Sequence, residues 1–280
     1  MSIKKSRKSG ERILTKRFKR VIACISDMHV GTYTAIFPDE FHIKRGNVIT
    51  LSEGQRSLLE SYHSFCKTCN DLGVDTVLVL GDMVHGQNPK ERGENLITTE
   101  LTIQKRAAKE LLKTLIKDRK SYWVAGSGYH ASTPGHDPDE GLCEMMGGKW
   151  CDKVKTLRFG SRLINISHGG SGAFVFRETA MGREIQWAKM AFANGKLPKI
   201  DCFVHGHWHW FAYLHEYESH FLQLPSWAAF EPARIFVKNY ARFQPDIGGA
   251  VILIDEEDRL MVWHYLYELP HICDEVIECT

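Results

Sequence analysis

Five short apolar runs, each breaking off into Asp or His, constrain this chain more than anything else in it. They are "VIACIS" (21–26), "TVLVLG" (76–81), "SYWVAG" (121–126), "RLINIS" (162–167) and "DCFVHG" (201–206). Each is too short for a helix and lacks clean alternation, the pattern of strands buried on both faces. The first runs into Asp27-Met28-His29, the second into Asp82, the third into "SGYH" with His130, the fourth into His168 and the fifth into His207-Trp208-His209. In open α/β sheets ligand sites collect beyond the carboxyl ends of the strands. A lone His in such a place would read as a satisfied core residue; this series predicts one shared site. Residues two apart in extended chain point the same way. On that basis Asp27 and His29 are expected to reach one ion, with His207 and His209 serving neighbouring ions.

Helical patterns separate the runs. Ser52 with Gln55 makes a capping box, an apolar stripe follows from Leu58 to Leu72, and Gly73 closes it. Thr99–Lys117 and Arg177–Asn194 read as further helices. After residue 219 the pattern turns to strands: "HFLQLPSW", "GGAVILID" and "RLMVWHYLYEL". Alternating β and α followed by a run of strands predicts an α/β fold, a layered β-sandwich flanked by helices in α/β/β/α order. With neither repeat nor linker, 21–280 reads as one domain preceded by a basic arm, 1–20. That arm holds nine Lys or Arg against Glu11 and, within a net charge of +2, leaves the rest acidic. It would be drawn to polyanions such as nucleic acid or to an acidic partner, or would serve as a solvated tail.

No apolar run approaches the roughly 18–20 residues that span a bilayer. The basic N-terminus lacks the apolar segment of a secretory signal. The eight cysteines are therefore expected to be reduced thiols in a cytoplasm. Cys66 and Cys69 form a CxxC without a second pair, which makes them a weak zinc candidate.

In order, "SDMHVG", "LGDMVHG", "GSGYH", "SHGG" and "HGHWH" resemble the motifs of the calcineurin-like metallophosphoesterases, over about residues 20–265. The segment "LPSWAAFEPARIFVKNYARFQPDIGGAVILI" is similar to versions carried by phages and prophages, which implies a bacterial host cytoplasm. The resemblance implies two divalent metal ions at the edge of a β-sandwich. Asp27, His29 and His209 would hold the first, His168 and His207 the second, and Asp82 would bridge both. His205 would support the loop or be buried. Imidazole with carboxylate favours manganese, iron, zinc or nickel over magnesium or calcium, with manganese expected first. The implied reaction is in-line attack on phosphorus by a hydroxide bridging the metals, with Asp82 and His130 as catalytic residues and His130 protonating the leaving oxygen.

The third motif departs from the family's Gly-Asn-His-Asp/Glu. Either Ser127 replaces the Asn as a ligand, with an insertion before His130, or Tyr129 occupies that place. The acidic partner of the His is also missing unless Asp137 or Asp139 supplies it. "GDMVHGQ" lacks the Arg usual in the family's protein phosphatases. A phosphodiesterase or nuclease is the leading expectation. A phosphodiesterase of small cyclic nucleotides and a non-catalytic binding module on the same fold are the alternatives. His85 would orient a ligand, contact substrate or simply pack. Trp208, Trp210, Phe211 and Trp227 would offer a stacking wall or belong to the core. Arg92, Arg177 and Arg183 would grip phosphate or remain solvated, and the segment from Thr32 to Thr50 could form a lid.

Overall fold

The computed structural model describes residues 18–44, 47–87, 93, 95–128, 130, 137–169, 178–216, 218–229 and 245–268. The basic arm up to residue 17, Tyr129, Arg92, Arg177 and residues 230–244 of the phage-like segment lie outside the described residues.

Two sheets stack face to face. The first has six strands: β1 (Phe18–Ile25), β4 (Thr76–Val79), β5 (Lys120–Trp123), β6 (Lys149–Trp150), β12 (Ile247–Asp255) and β13 (Leu260–Tyr267). Their order is β13-β12-β1-β4-β5-β6, with β1, β4, β5 and β6 parallel and β12 and β13 antiparallel. The second has five: β7 (Val154–Phe159), β8 (Arg162–Ser167), β9 (Cys202–His205), β10 (Ala212–Glu216) and β11 (Ser219–Gln223). Its order is β10-β11-β9-β8-β7. A hairpin, β2 (Phe41–Lys44) with β3 (Asn47–Ile49), stands apart from both.

The core divides by the two-residue period of the strands. Ile22, Cys24, Leu78 and Ile252 of the first sheet meet Ile164, Ile166, Val204 and Leu222 of the second between the sheets. The alternate residues, among them Val21, Ala23, Ile25, Val77 and Val79, pack on helices α1 (Glu53–Leu72), α2 (Leu101–Ile116) and α3 (Pro138–Met145). On the far side, Phe203 and Phe221 of the second sheet pack on Met181 and Ile185 of α4 (Glu178–Ala193). The layers are therefore α/β/β/α. Helix α1 starts where expected: the Ser52 hydroxyl accepts from the Gln55 N–H at 3.2 Å and the Gln55 amide reaches back to the Ser52 N–H. Gly73 ends it in the left-handed conformation at φ 72°.

Strands β2, β3, β6, β7 and β10 and helix α3 had no sequence expectation. The helix carried a readable signal, Asp137 capping and Pro138 at the first helical position. Among the described residues, the Thr32–Thr50 segment begins as core, not as a cover: Ile36 and Phe37 are fully buried, and Ile36 N–H donates to the Trp227 carbonyl at 3.1 Å. No helix among the described residues is long and apolar enough to cross a membrane.

Candidate metal centre

Parallel β1 and β4 end side by side, and the chain beyond them stays zipped. Asp27 N–H donates to the Gly81 carbonyl at 3.1 Å, His29 N–H to Asp82 at 3.0 Å and Val30 N–H to Met83 at 3.0 Å. The backbone then bends sharply. Asp27, His29, Asp82, His207 and His209 have φ of 53°, 45°, 54°, 78° and 60°. They are five of the ten described non-glycine residues with positive φ, a conformation costing about 1–3 kcal/mol each and held only where surroundings over-determine it. The expected extended stagger of Asp27/His29 and His207/His209 is therefore corrected. A left-handed turn at each residue aims the side chains, not the alternation of a strand.

Two groups of side chains result. Asp27, His29 and His209 form the first, and Asp82, His168 and His207 the second. In the first, His29 Nε2 lies 3.0 Å from His209 Nε2, and these atoms lie 3.6 and 3.2 Å from Asp27 Oδ1. In the second, His168 Nε2 lies 2.9 Å from Asp82 Oδ2 and 3.2 Å from His207 Nδ1. The Leu80 carbonyl accepts a hydrogen bond from the His168 Nδ1–H at 2.6 Å and so turns Nε2 towards Asp82. The groups touch: Asp27 Oδ1 is 3.9 Å from His168 Nε2.

The donor set fits divalent metal ions. Asp27 and Asp82 are buried, and a buried carboxylate needs nearby positive charge. Asp27 Oδ1 is buried without a hydrogen-bond partner, while its Oδ2 accepts the His207 N–H at 2.8 Å. Asp82 Oδ1 accepts the Ser127 N–H at 2.8 Å, leaving Oδ2 to the histidines. His209 is 31% exposed at its side chain, so solvent reaches the cluster from the β9 side. Electrostatics agree. Burial pushes the Asp27 carboxyl up, but His209 and His168 outweigh it and hold it well below the usual carboxylate range. Asp82 is likewise held low against burial, chiefly by His168 and His130. Burial alone would strip His168 of its proton, yet Asp82 and Asp27 raise it to about 10, so a metal ion held here would displace that proton and take over its charge. Burial drives His29 down to about 3, leaving its nitrogen a free lone pair.

His130 sits beside this pair. Its Nε2 is 3.7 Å from Asp82 Oδ2, and its ring lies 4.7 Å from those of His29 and His85. His29, His85 and His130 form a third group with metal-ligand spacing, so the structure places the buried His85 inside the site. His130 Nδ1 lies 2.6 Å from the His85 carbonyl, which does for the imidazole what the missing acidic partner would do. Asp137 and Asp139 serve elsewhere. Asp137 Oδ2 accepts the Gly126 N–H at 2.9 Å, and Asp139 accepts the N–H groups of Met83 and Val84 at 3.0 and 3.4 Å. These carboxylates pin the backbone around Asp82. Ser127 enters through its N–H bond to Asp82.

Several supporting residues escaped the sequence reading. Gln104 of α2 clamps Gly86, accepting its N–H at 2.8 Å and donating to its carbonyl at 2.9 Å. Asp246 accepts the Phe211 N–H at 2.7 Å and donates its own N–H to the His209 carbonyl at 2.8 Å. A β-carbon on Gly126 would lie 2.1 Å from Asp82 Oδ1, and one on Gly206 1.8 Å from Ser26 Oγ. The only sequence signal for the two glycines was their place at the end of an apolar run.

The remaining candidates divide. Trp210 and Trp227 are buried, Phe211 stacks on His264 at 4.4 Å, and Trp208 is half-buried beside His207. His205 is buried with Nε2 3.3 Å from Glu184. Arg183 lies over the Trp187 ring at 5.0 Å, on α4.

No family model matches this chain, and no curated protein does. Solved structures similar to it include a zinc complex of Vps29 from Entamoeba histolytica, with 17% identity over 88% of this chain and 92% of that one at a TM-score of 0.45. An archaeal phosphodiesterase is 11% identical over 88% of this chain and 99% of that one, also at 0.45. Yfce, a phosphoesterase from E. coli, is 10% identical over 89% and 99% at 0.42.

Proposed function

We propose that this chain is a dinuclear metal-dependent phosphoesterase of the calcineurin-like type, acting on phosphodiesters, nucleic acid among them. One observation carries the reading: two groups of Asp and His ligands, joined through Asp27 and His168 at 3.9 Å, converge from the strand ends of both stacked sheets. Asp27, His29 and His209 would hold one ion and His168 and His207 the other, with Asp82 shared between them. Manganese is the expected metal. When bound, such ions acidify water and neutralise phosphoryl charge.

The chain's own groups supply the rest. The Ser127 N–H fixes one oxygen of Asp82, so the other keeps its direction. The Leu80 carbonyl holds the tautomer of His168. His130, oriented by the His85 carbonyl, presents Nε2 at the edge of the cluster and delivers the proton that a leaving alkoxide needs. The arm would guide a polyanion to the site. Because Phe18 already pairs with Asp255 in the sheet, its deletion should stop at residue 17.

Hydrolysis of bis(p-nitrophenyl) phosphate with manganese, compared with Asp82→Asn, tests the reading. Turnover by the native chain and none by the variant is expected. Tight metal binding without hydrolysis of this or of a panel of single-stranded, duplex and cyclic substrates would favour the non-catalytic module. Removing residues 1–17 should flatten the salt dependence of nucleic-acid binding by roughly three log units per log salt if about four cations engage. An unchanged slope removes the arm from that role.

A further inference from the structure

We infer that Trp208 forms a nucleobase subsite beside the metal centre, so that the diester is a nucleotidyl one. This rests on the phosphoesterase reading and adds the substrate class. Trp208 stands between His207 and His209, one from each ligand group. It is the half-buried member of an aromatic pair. Its ring lies 4.9 Å from that of Trp210 at 35°, and Trp210 is buried against Met181 and Ile185 of α4. One side of the indole is thus held by the core, which fixes the ring before any ligand arrives.

The ring also lies 5.8 Å from His207 at 75°, edge against face, so its direction is set from the metal side as well. The strained φ of 78° and 60° at the flanking histidines pins the backbone on both sides of it. A rigid, partly open aromatic surface one ring away from a phosphoryl-binding cluster matches a ligand with a flat π-system one pentose away from its phosphate. An aliphatic diester has the phosphate without the ring. Stacking on an indole accepts any base, so a general base preference is expected, without sequence reading.

The test uses the full chain loaded with manganese and measures binding calorimetrically for adenosine 5′-monophosphate and ribose 5-phosphate. The native chain should bind the nucleotide about tenfold tighter, near the low end of what one base–aromatic stack contributes. Trp208→Ala should erase that difference while leaving ribose 5-phosphate affinity and metal content unchanged, and Trp208→Phe should keep most of it. Equal affinities in the native chain, or equal weakening of both ligands in Trp208→Ala, would overturn the subsite. A native chain that prefers the nucleotide yet hydrolyses no ester would instead remove the phosphoesterase reading and leave the subsite standing.

Discussion

Two regions of this molecule gather residues that metals favour, and only one is built to hold an ion. Cys66 and Cys69 lie one helical turn apart on α1 and are buried with Tyr62, Phe65 and Trp227. Both are free thiols, and burial pushes the Cys66 thiol up to about 12. A thiol binds metal as a thiolate, which this environment disfavours. At the strand ends, by contrast, two carboxylates are held ionised by imidazoles, and His29 is held as a free base. The thiols occupy regular helix with ordinary side-chain directions, whereas five of the six candidate Asp and His ligands sit on left-handed backbone that no packing demand would select. Spacing in sequence is common to both regions. What separates them is buried carboxylate charge that calls for a cation and a backbone bent towards a common point.

The largest effect expected from that difference is at Asp82. Asp82→Ala should abolish phosphodiester hydrolysis and remove most bound manganese, read by metal analysis after gel filtration. Retention of two equivalents would break the contrast at its centre. Next comes His130→Ala, expected to slow turnover by about 10²–10⁴ on substrates with poor leaving groups while metal content stays near that of the native chain. The loss should shrink on nitrophenyl esters, whose leaving group needs no proton. Equal losses on both would take His130 out of the acid role.

A smaller effect follows from close packing behind Asp82. Gly126→Ala would place a carbon 2.7 Å from the Asp82 backbone nitrogen as well as against its carboxylate. The neighbour cannot swing away, because Asp82 is buried and bonded to Ser127. Metal affinity should fall by about 10–100-fold, the usual range when the support of a ligand is disturbed, with the thermal midpoint lowered as well. Unaltered affinity would mean that the tip is less fixed than its hydrogen bonds imply.

Much of this was legible because a strand buried on both faces leaves an apolar run, and an apolar run that stops at Asp or His marks its own end. The five runs, three helices and the α/β/β/α layering follow from that pattern. Exposed strands leave a weaker mark: in β7, Val154–Phe159, only Phe159 is buried, so no apolar period announced it. The direction of side chains was not legible either. Asp27 and His29 read as extended because nothing in "SDMHVG" reports a positive φ at an Asp or a His. Long-range hydrogen bonds such as Asp139 to Met83 and Gln104 to Gly86 join residues far apart in the chain, and composition at one end says nothing of the other.

The smallest expected effect is on the cysteine side, and there pH sharpens the contrast. Cys66 ionises near 9 in an ordinary setting and near 12 in the fold, so between those values the unfolded chain gives up a proton that the folded chain keeps. Stability from the buried neutral thiol is therefore fully present below about pH 9 and is lost as pH rises towards 12. The slope from this one group is roughly 1 kcal/mol per pH unit. Cys66→Ala removes the titrating group at the cost of a small cavity, so at pH 7 it should lower stability by about 1 kcal/mol. Manganese content and hydrolysis should not change. Denaturant melts of native and variant chains at intervals from pH 7 to 10.5 read both quantities. The gap between the curves should close at about pH 10 and reverse above it, because the native chain alone carries this proton. A constant gap would mean that Cys66 ionises as freely in the fold as outside it, and lost manganese in the variant would make the CxxC a metal site after all.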